Sequence, residues 1–147
     1  MLDRLSQADR VSGIGAVVAL LSTFLPWYHF DTASSRVSQN AFGTGFLGDV
    51  LFFCAAGTIL LLLIRHEVIV LRNGLPFREG QAFFGLGCVG LAAVVLQMLI
   101  GVNGSGAFHS MTLGIVVALF AAGAMLAGGR LQRGTDAPRR LHGHGRR

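Results

Sequence analysis

Few residues in this chain carry side chains that could do chemistry, and they lie near the ends of apolar segments. His29, Asp31, Asp49 and His109 belong to the types that ligate metals or carry protons, and we place all four near one face of a membrane. Their spacing is not a recognised ligand pattern. We therefore interpret them as polar residues at the membrane boundary and predict no bound metal, with a metal or proton site as the alternative.

Three further patterns have structural explanations. The segment Gly85–Gly90 (GLGCVG) matches the GxGxxG of dinucleotide-binding turns, but it lies inside an apolar run, where glycines serve close helix packing. Ser105 and His109 stand four residues apart without an orienting acid or a rigid oxyanion hole. Cys54 and Cys88 form no CxxC pair, the usual motif of thiol oxidoreductases. We predict no catalytic residue and no cofactor.

The composition is that of a membrane protein. The chain has 147 residues, of which 52% are hydrophobic and 13% charged, and its mean hydropathy is +0.62. The run from Val11 to Phe30 has twenty residues without a charge, and at about 1.5 Å per residue it matches a hydrocarbon core of roughly 30 Å. Its end, Pro26-Trp27-Tyr28-His29, has aromatic residues with polar edges, which favour the membrane–water boundary. We expect this run to be kept as a membrane span and not cleaved as a signal peptide.

Four such runs predict an all-α integral membrane protein, a four-helix up-down-up-down bundle. The predicted parts are a cytoplasmic lead over 1–10, a transmembrane domain over 11–129 and a basic disordered tail over 130–147, with helices over about 11–28, 45–64, 81–101 and 110–128. Ser6 and Asp9 have the spacing of a capping box, so the first helix should begin near Gln7. The segment 30–44 is polar and is expected to be a loop.

Arginine placement predicts the orientation in the cell membrane. Eleven arginines fall in the two terminal segments and the second connection, and only Arg36 falls on the other side. Positive residues accumulate on the cytoplasmic side, so both termini are expected in the cytoplasm.

Small residues at a spacing of four predict how the helices pack, because lipid tails are as apolar as leucine and burial alone cannot hold helices together. Such faces occur on the first, third and fourth predicted helices. They comprise Gly15, Ala19 and Thr23; Gly85, Val89, Ala93, Gln97 and Gly101; and Ser110, Gly114, Ala118 and Ala122.

The first 65 residues resemble a family of small bacterial four-span membrane proteins. The resemblance rests on Phe24–Tyr28 (FLPWY), on Asn40-Ala41-Phe42 and on Asp49 at the head of an aliphatic span. It supports the topology and implies no chemistry. It also points to the outer face, where we expect a candidate functional cluster of Trp27, Tyr28, His29, Asn40, Phe42, Asp49 and His109. Asn40 or Asp49 is expected to accept hydrogen bonds from backbone groups freed near Pro26.

These observations predict a non-enzymatic multi-pass protein that acts by lateral association with itself or with another membrane protein. A small oligomeric transporter or channel is the alternative, although Asp49 is the only ionisable candidate for a pathway and lies near a helix end. An enzyme ranks third. The expected partners are the lipid bilayer and anionic lipids, which the arginine-rich tail would attract, and no nucleic acid.

Overall fold

A computed structural model describes residues 6–31, 36–66, 68–69, 79–101 and 111–135. Four helices and one hairpin make up this part of the chain. In order they are α1 (Gln7–Ser22), β1 (Pro26–Asp31), β2 (Arg36–Asn40), a single 3₁₀ turn (Ala41–Gly43), α2 (Phe46–Arg65), α3 (Glu79–Ile100) and α4 (Leu113–Thr135).

Three of the helices are long and apolar enough to cross a membrane. They cover Phe46–Arg65, Glu79–Ile100 and Leu113–Gly134, with mean hydropathies of 2.4, 2.3 and 1.8. At about 1.5 Å per residue each reaches roughly 30 Å, the thickness of a bilayer core. The fold is therefore that of a helical membrane protein.

The first helix begins where its capping box predicts and ends earlier than expected. The N–H of Asp9 donates to Oγ of Ser6 at 3.1 Å, and the N–H of Ser6 donates back to the Asp9 carboxylate at 3.3 Å. Helix α1 ends at Ser22, so the predicted range of 11–28 is wrong at its end. Pro26 disfavours helical backbone in the residue before it and cannot donate a helical hydrogen bond, and the chain turns there into β1.

A strand pair replaces the predicted end of the first helix, up to residue 28, and part of the segment 30–44 that we expected to be a polar loop. Strands β1 and β2 are antiparallel, with Tyr28 opposite Gln39 and Asp31 opposite Arg36, and a bulge between Pro26 and Tyr28. Both strands are short. Strand β2 (RVSQN) is mostly polar and β1 (PWYHFD) has two adjacent aromatic residues, so neither shows the alternating apolar pattern that identifies a strand from sequence. Their pairing, together with contacts to the helices, decides the conformation.

The helices pack through small residues. Helix α1 packs against α2 and α4, and α3 packs against the same two helices. A methyl group added at Gly15 would lie 2.9 Å from the backbone nitrogen of Met125, and one at Gly87 would lie 2.6 Å from Cα of Leu126. The α4 backbone thus lies directly on both glycines, which only a residue without Cβ permits. Ala19 is fully buried nearby.

The predicted packing face of the third helix is partly wrong. Ala93 and Gln97 are buried as expected, but Gly85 has open space around it and Val89 is 52% exposed. The buried face of α3 instead runs through Gly80, Phe83, Gly87, Gly90, Ala93, Val94 and Gln97. The hydrophobicity of α3 is nearly uniform around its axis, so its sequence does not mark the face that meets the other helices. On α4, Gly114, Ala118 and Ala122 are buried as predicted, and Ser110 lies outside the described residues.

Helix α4 extends beyond its predicted end into the segment that we expected to be a disordered tail. Residues 130–135 are helical, and Gln132 is fully buried. A hydrogen bond from Gln132 to Asp9 of α1 holds this extension. The rest of the predicted tail, 136–147, lies outside the described residues.

Candidate functional site

Trp27 and Tyr28 are both fully buried at the hairpin end of the bundle. The indole Nε1 of Trp27 donates to the carbonyl oxygen of Ser22 at 2.8 Å, and the Tyr28 hydroxyl donates to the carbonyl oxygen of Gln97 at 2.9 Å. Both polar edges are thus satisfied inside the protein, and neither ring has the half-wet position predicted for the membrane boundary. Burial raises the pKa of the Tyr28 phenol, and a separate hydrogen bond with the side chain of Gln97 partly offsets that shift.

The hairpin is fastened to the beginning of α4. The N–H of Thr112 donates to the carbonyl oxygen of Trp27 at 2.9 Å, and the Thr112 hydroxyl donates to the carbonyl oxygen of Pro26. Gly114 lies directly under the same Pro26 carbonyl, with no space for a Cβ. These contacts satisfy the carbonyl groups of Pro26 and Trp27 at the bulge, and they join β1 to the helix bundle.

Asn40 and Phe42 also stabilise the region of the hairpin, although Asn40 forms its hydrogen bond with Gly43 and not with backbone groups near Pro26. Its side-chain oxygen accepts from the N–H of Gly43 at 3.1 Å and caps the 3₁₀ turn, so it does not take up backbone groups near Pro26. The ring of Phe42 lies 5.5 Å from that of Phe24 and 5.5 Å from that of Phe52, centroid to centroid. An aromatic array thus follows the side of the protein from the end of α1 to the first turns of α2.

Of the remaining members of the predicted outer cluster, only His29 and Asp49 lie within the described residues. His29 is exposed on β1, Asp49 is half-buried in the first turn of α2, and His109 lies outside the described residues. Within the described ranges, no group of three His, Cys, Asp or Glu side chains could hold a metal ion.

An open depression lies between the hairpin and the end of α1. It has a volume of about 340 Å³ and is lined by Phe24, Pro26, Ser38, Gln39, Asn40 and Gly43. Gln39 is the cross-strand partner of the buried Tyr28 and is itself half-buried. Its side-chain oxygen, Oε1, is buried and accepts no hydrogen bond from any residue that the structure describes.

The opposite end of the bundle holds a cluster of polar and charged residues around a buried carboxylate, and the sequence alone did not predict this cluster. We define the Asp9 cluster as Asp9, Arg65, His66, Glu79 and Gln132. The Asp9 side chain is only 3% exposed. Its Oδ1 accepts from Nε2 of Gln132 at 2.9 Å and lies 3.4 Å from Nη1 of Arg65. Its Oδ2 lies 3.6 Å from Nε2 of His66, and Nε of Arg65 lies 3.8 Å from Glu79.

The Asp9 cluster joins the first turns of α1 and α3 to the C-terminal ends of α2 and α4. A buried carboxylate is costly unless charges and hydrogen bonds compensate it, and Asp9 has partners from two other helices. From the sequence, Asp9 was predicted only as the second residue of a capping box. That prediction explains its contact with Ser6 but none of its other contacts. Gln132 is 123 residues away, and no local pattern links the two residues.

Chemically, the two ends differ. The Asp9 cluster combines carboxylates with an arginine and a histidine, an arrangement suited to holding helix ends together. The hairpin end offers buried hydrogen bonds, an aromatic array and an open depression. Fold and site together define a helical membrane protein with a polar hairpin cap. No protein-family model, curated protein or solved structure matches the chain.

Proposed function

We propose that the chain is a four-span protein of the cell membrane with both termini in the cytoplasm. Helix α1 has 16 residues, and its apolar surface continues toward the hairpin through the exposed residues Phe24 and Leu25. The Asp9 cluster supports an up-down-up-down order, because it contains the beginnings of α1 and α3 and the ends of α2 and α4. The arginine bias supports a cytoplasmic position for this end.

Thiol labelling tests the topology. Single cysteines introduced at Ser38 in the hairpin and at Arg133 in α4, in a chain with Cys54→Ala and Cys88→Ala, should react from opposite sides of intact cells. Ser38→Cys is expected to react with an impermeant maleimide and Arg133→Cys only after permeabilisation. Labelling of Arg133→Cys in intact cells would contradict the proposed orientation.

We infer that the protein acts by lateral association in the membrane and not as an enzyme. The main supporting observation is a glycine on the outside of the bundle whose missing side chain would meet no other atom. A Cβ added at Gly123 of α4 would have no neighbouring atom within 4 Å, and Ala127, four residues on, is exposed. Exposed Phe120 and Leu131 flank this pair along α4. Small residues four apart on an apolar helix surface allow a second helix to approach its backbone closely.

The contrast with other glycines supports this interpretation. At Gly15, Gly87 and Gly114 the space of the missing side chain is filled by another part of this chain. A glycine in a helix interior costs up to about 1 kcal/mol relative to alanine, and at Gly123 no contact within the described structure offsets that cost. A second helix packed there would supply the missing contact.

Association is tested by substitution at the open glycine. Gly123→Leu is expected to weaken association at least about tenfold, which is ~1.4 kcal/mol, as measured by energy transfer between labelled copies in vesicles and by recovery of co-purified membrane partners. The matched control is Gly85→Leu, the same change at another open glycine whose neighbour four residues on is the larger Val89. A wild-type protein that is monomeric and co-purifies with no partner would refute the proposal.

The alternative is a small oligomeric transporter or channel. The buried carboxylate of Asp9 at one end and the half-buried Asp49 at the other are the observations that favour it. The middle of the bundle counts against a pathway inside one copy, because fully buried alanines such as Ala16, Ala19 and Ala118 fill it. Flux into proteoliposomes that is lost in Asp49→Asn would favour transport over simple association.

The arginine-rich tail is a further proposed contact with the membrane. Each arginine near an anionic surface contributes about 1 kcal/mol of attraction. The resemblance to small bacterial four-span proteins agrees with the proposed topology and adds no activity to it.

A further inference from the structure

We draw no further inference here: the strongest candidate, the outer face of α4 around Gly123 and Ala127, is a stripe of small residues that already supports the proposed lateral association, and nothing in the described part of the chain shows which partner covers it.

Discussion

Replacing Asp9 tests whether the Asp9 cluster holds the helix ends together. Asp9→Ala removes a charge-assisted hydrogen bond from Gln132 at 2.9 Å, and such bonds contribute about 1.5–3 kcal/mol. It also removes the weaker return bond to Ser6 at 3.3 Å. The attraction of Arg65 at 3.4 Å adds at most about 1 kcal/mol, because its side chain is 26% exposed and screened by solvent. We expect a total loss of about 3 kcal/mol in the free energy of unfolding.

The assay is reversible unfolding in mixed micelles, followed by helical circular dichroism, in a double-mutant cycle with Gln132→Ala. The two changes should couple by about 1.5–2 kcal/mol, because each removes the same hydrogen bond. Glu79→Ala is the control: it removes a carboxylate that is 41% exposed and 3.8 Å from Arg65, and should cost less than about 1 kcal/mol.

Two results would refute this reasoning. If Asp9→Ala costs no more than Glu79→Ala, the Asp9 carboxylate is solvated in the folded protein. If the effects of Asp9→Ala and Gln132→Ala add to within about 0.5 kcal/mol, the two side chains do not interact.

Two further predictions concern the hairpin end. Gly114→Ala should destabilise the protein by about 1–3 kcal/mol, because its Cβ would overlap the Pro26 carbonyl. The control, Gly85→Ala, lies in open space on α3 and should be neutral or stabilising by up to about 1 kcal/mol. Equal effects of the two substitutions in the same unfolding assay would contradict the packing of Pro26 on α4. Burial raises the pKa of Tyr28 in the folded state above its usual value of about 10. The contribution of Tyr28 to the free energy of unfolding should therefore be constant below pH 10 and should fall above pH 10 by at most about 1.4 kcal/mol per pH unit. Tyr28→Phe should cost about 1 kcal/mol at neutral pH through the lost bond to Gln97 and should lessen the alkaline decline; an unchanged decline in a pH series of unfolding curves would show that other groups cause it.

Local properties of the sequence determined the parts of the fold that depend on the nearest residues or on the solvent. The length and apolarity of three helices follow from the need to cross hydrocarbon with every backbone group bonded within the helix. The beginning of α1 follows from the contact between Ser6 and Asp9 within a single turn. The packing of Gly15 against α4 followed from small residues at helical spacing, whereas Gly114 packs against the Pro26 carbonyl of the hairpin and not against another helix.

Only the tertiary structure decided the features that join distant parts of the chain. Trp27 and Tyr28 have the composition of boundary residues, yet the pairing of β1 with β2 and the contacts of the hairpin with Thr112 bury both rings. The sequence around Asp9 predicts only a helix cap. Its hydrogen bond with Gln132, which lies near the other end of the sequence, forms only in the folded structure. The surface of α3 is nearly uniformly apolar, so its sequence does not determine which face of the helix packs against α2 and α4. Packing against those two helices determines it. In each case the deciding energy is a hydrogen bond or a close packing contact between segments far apart in sequence, and no local pattern encodes such a contact.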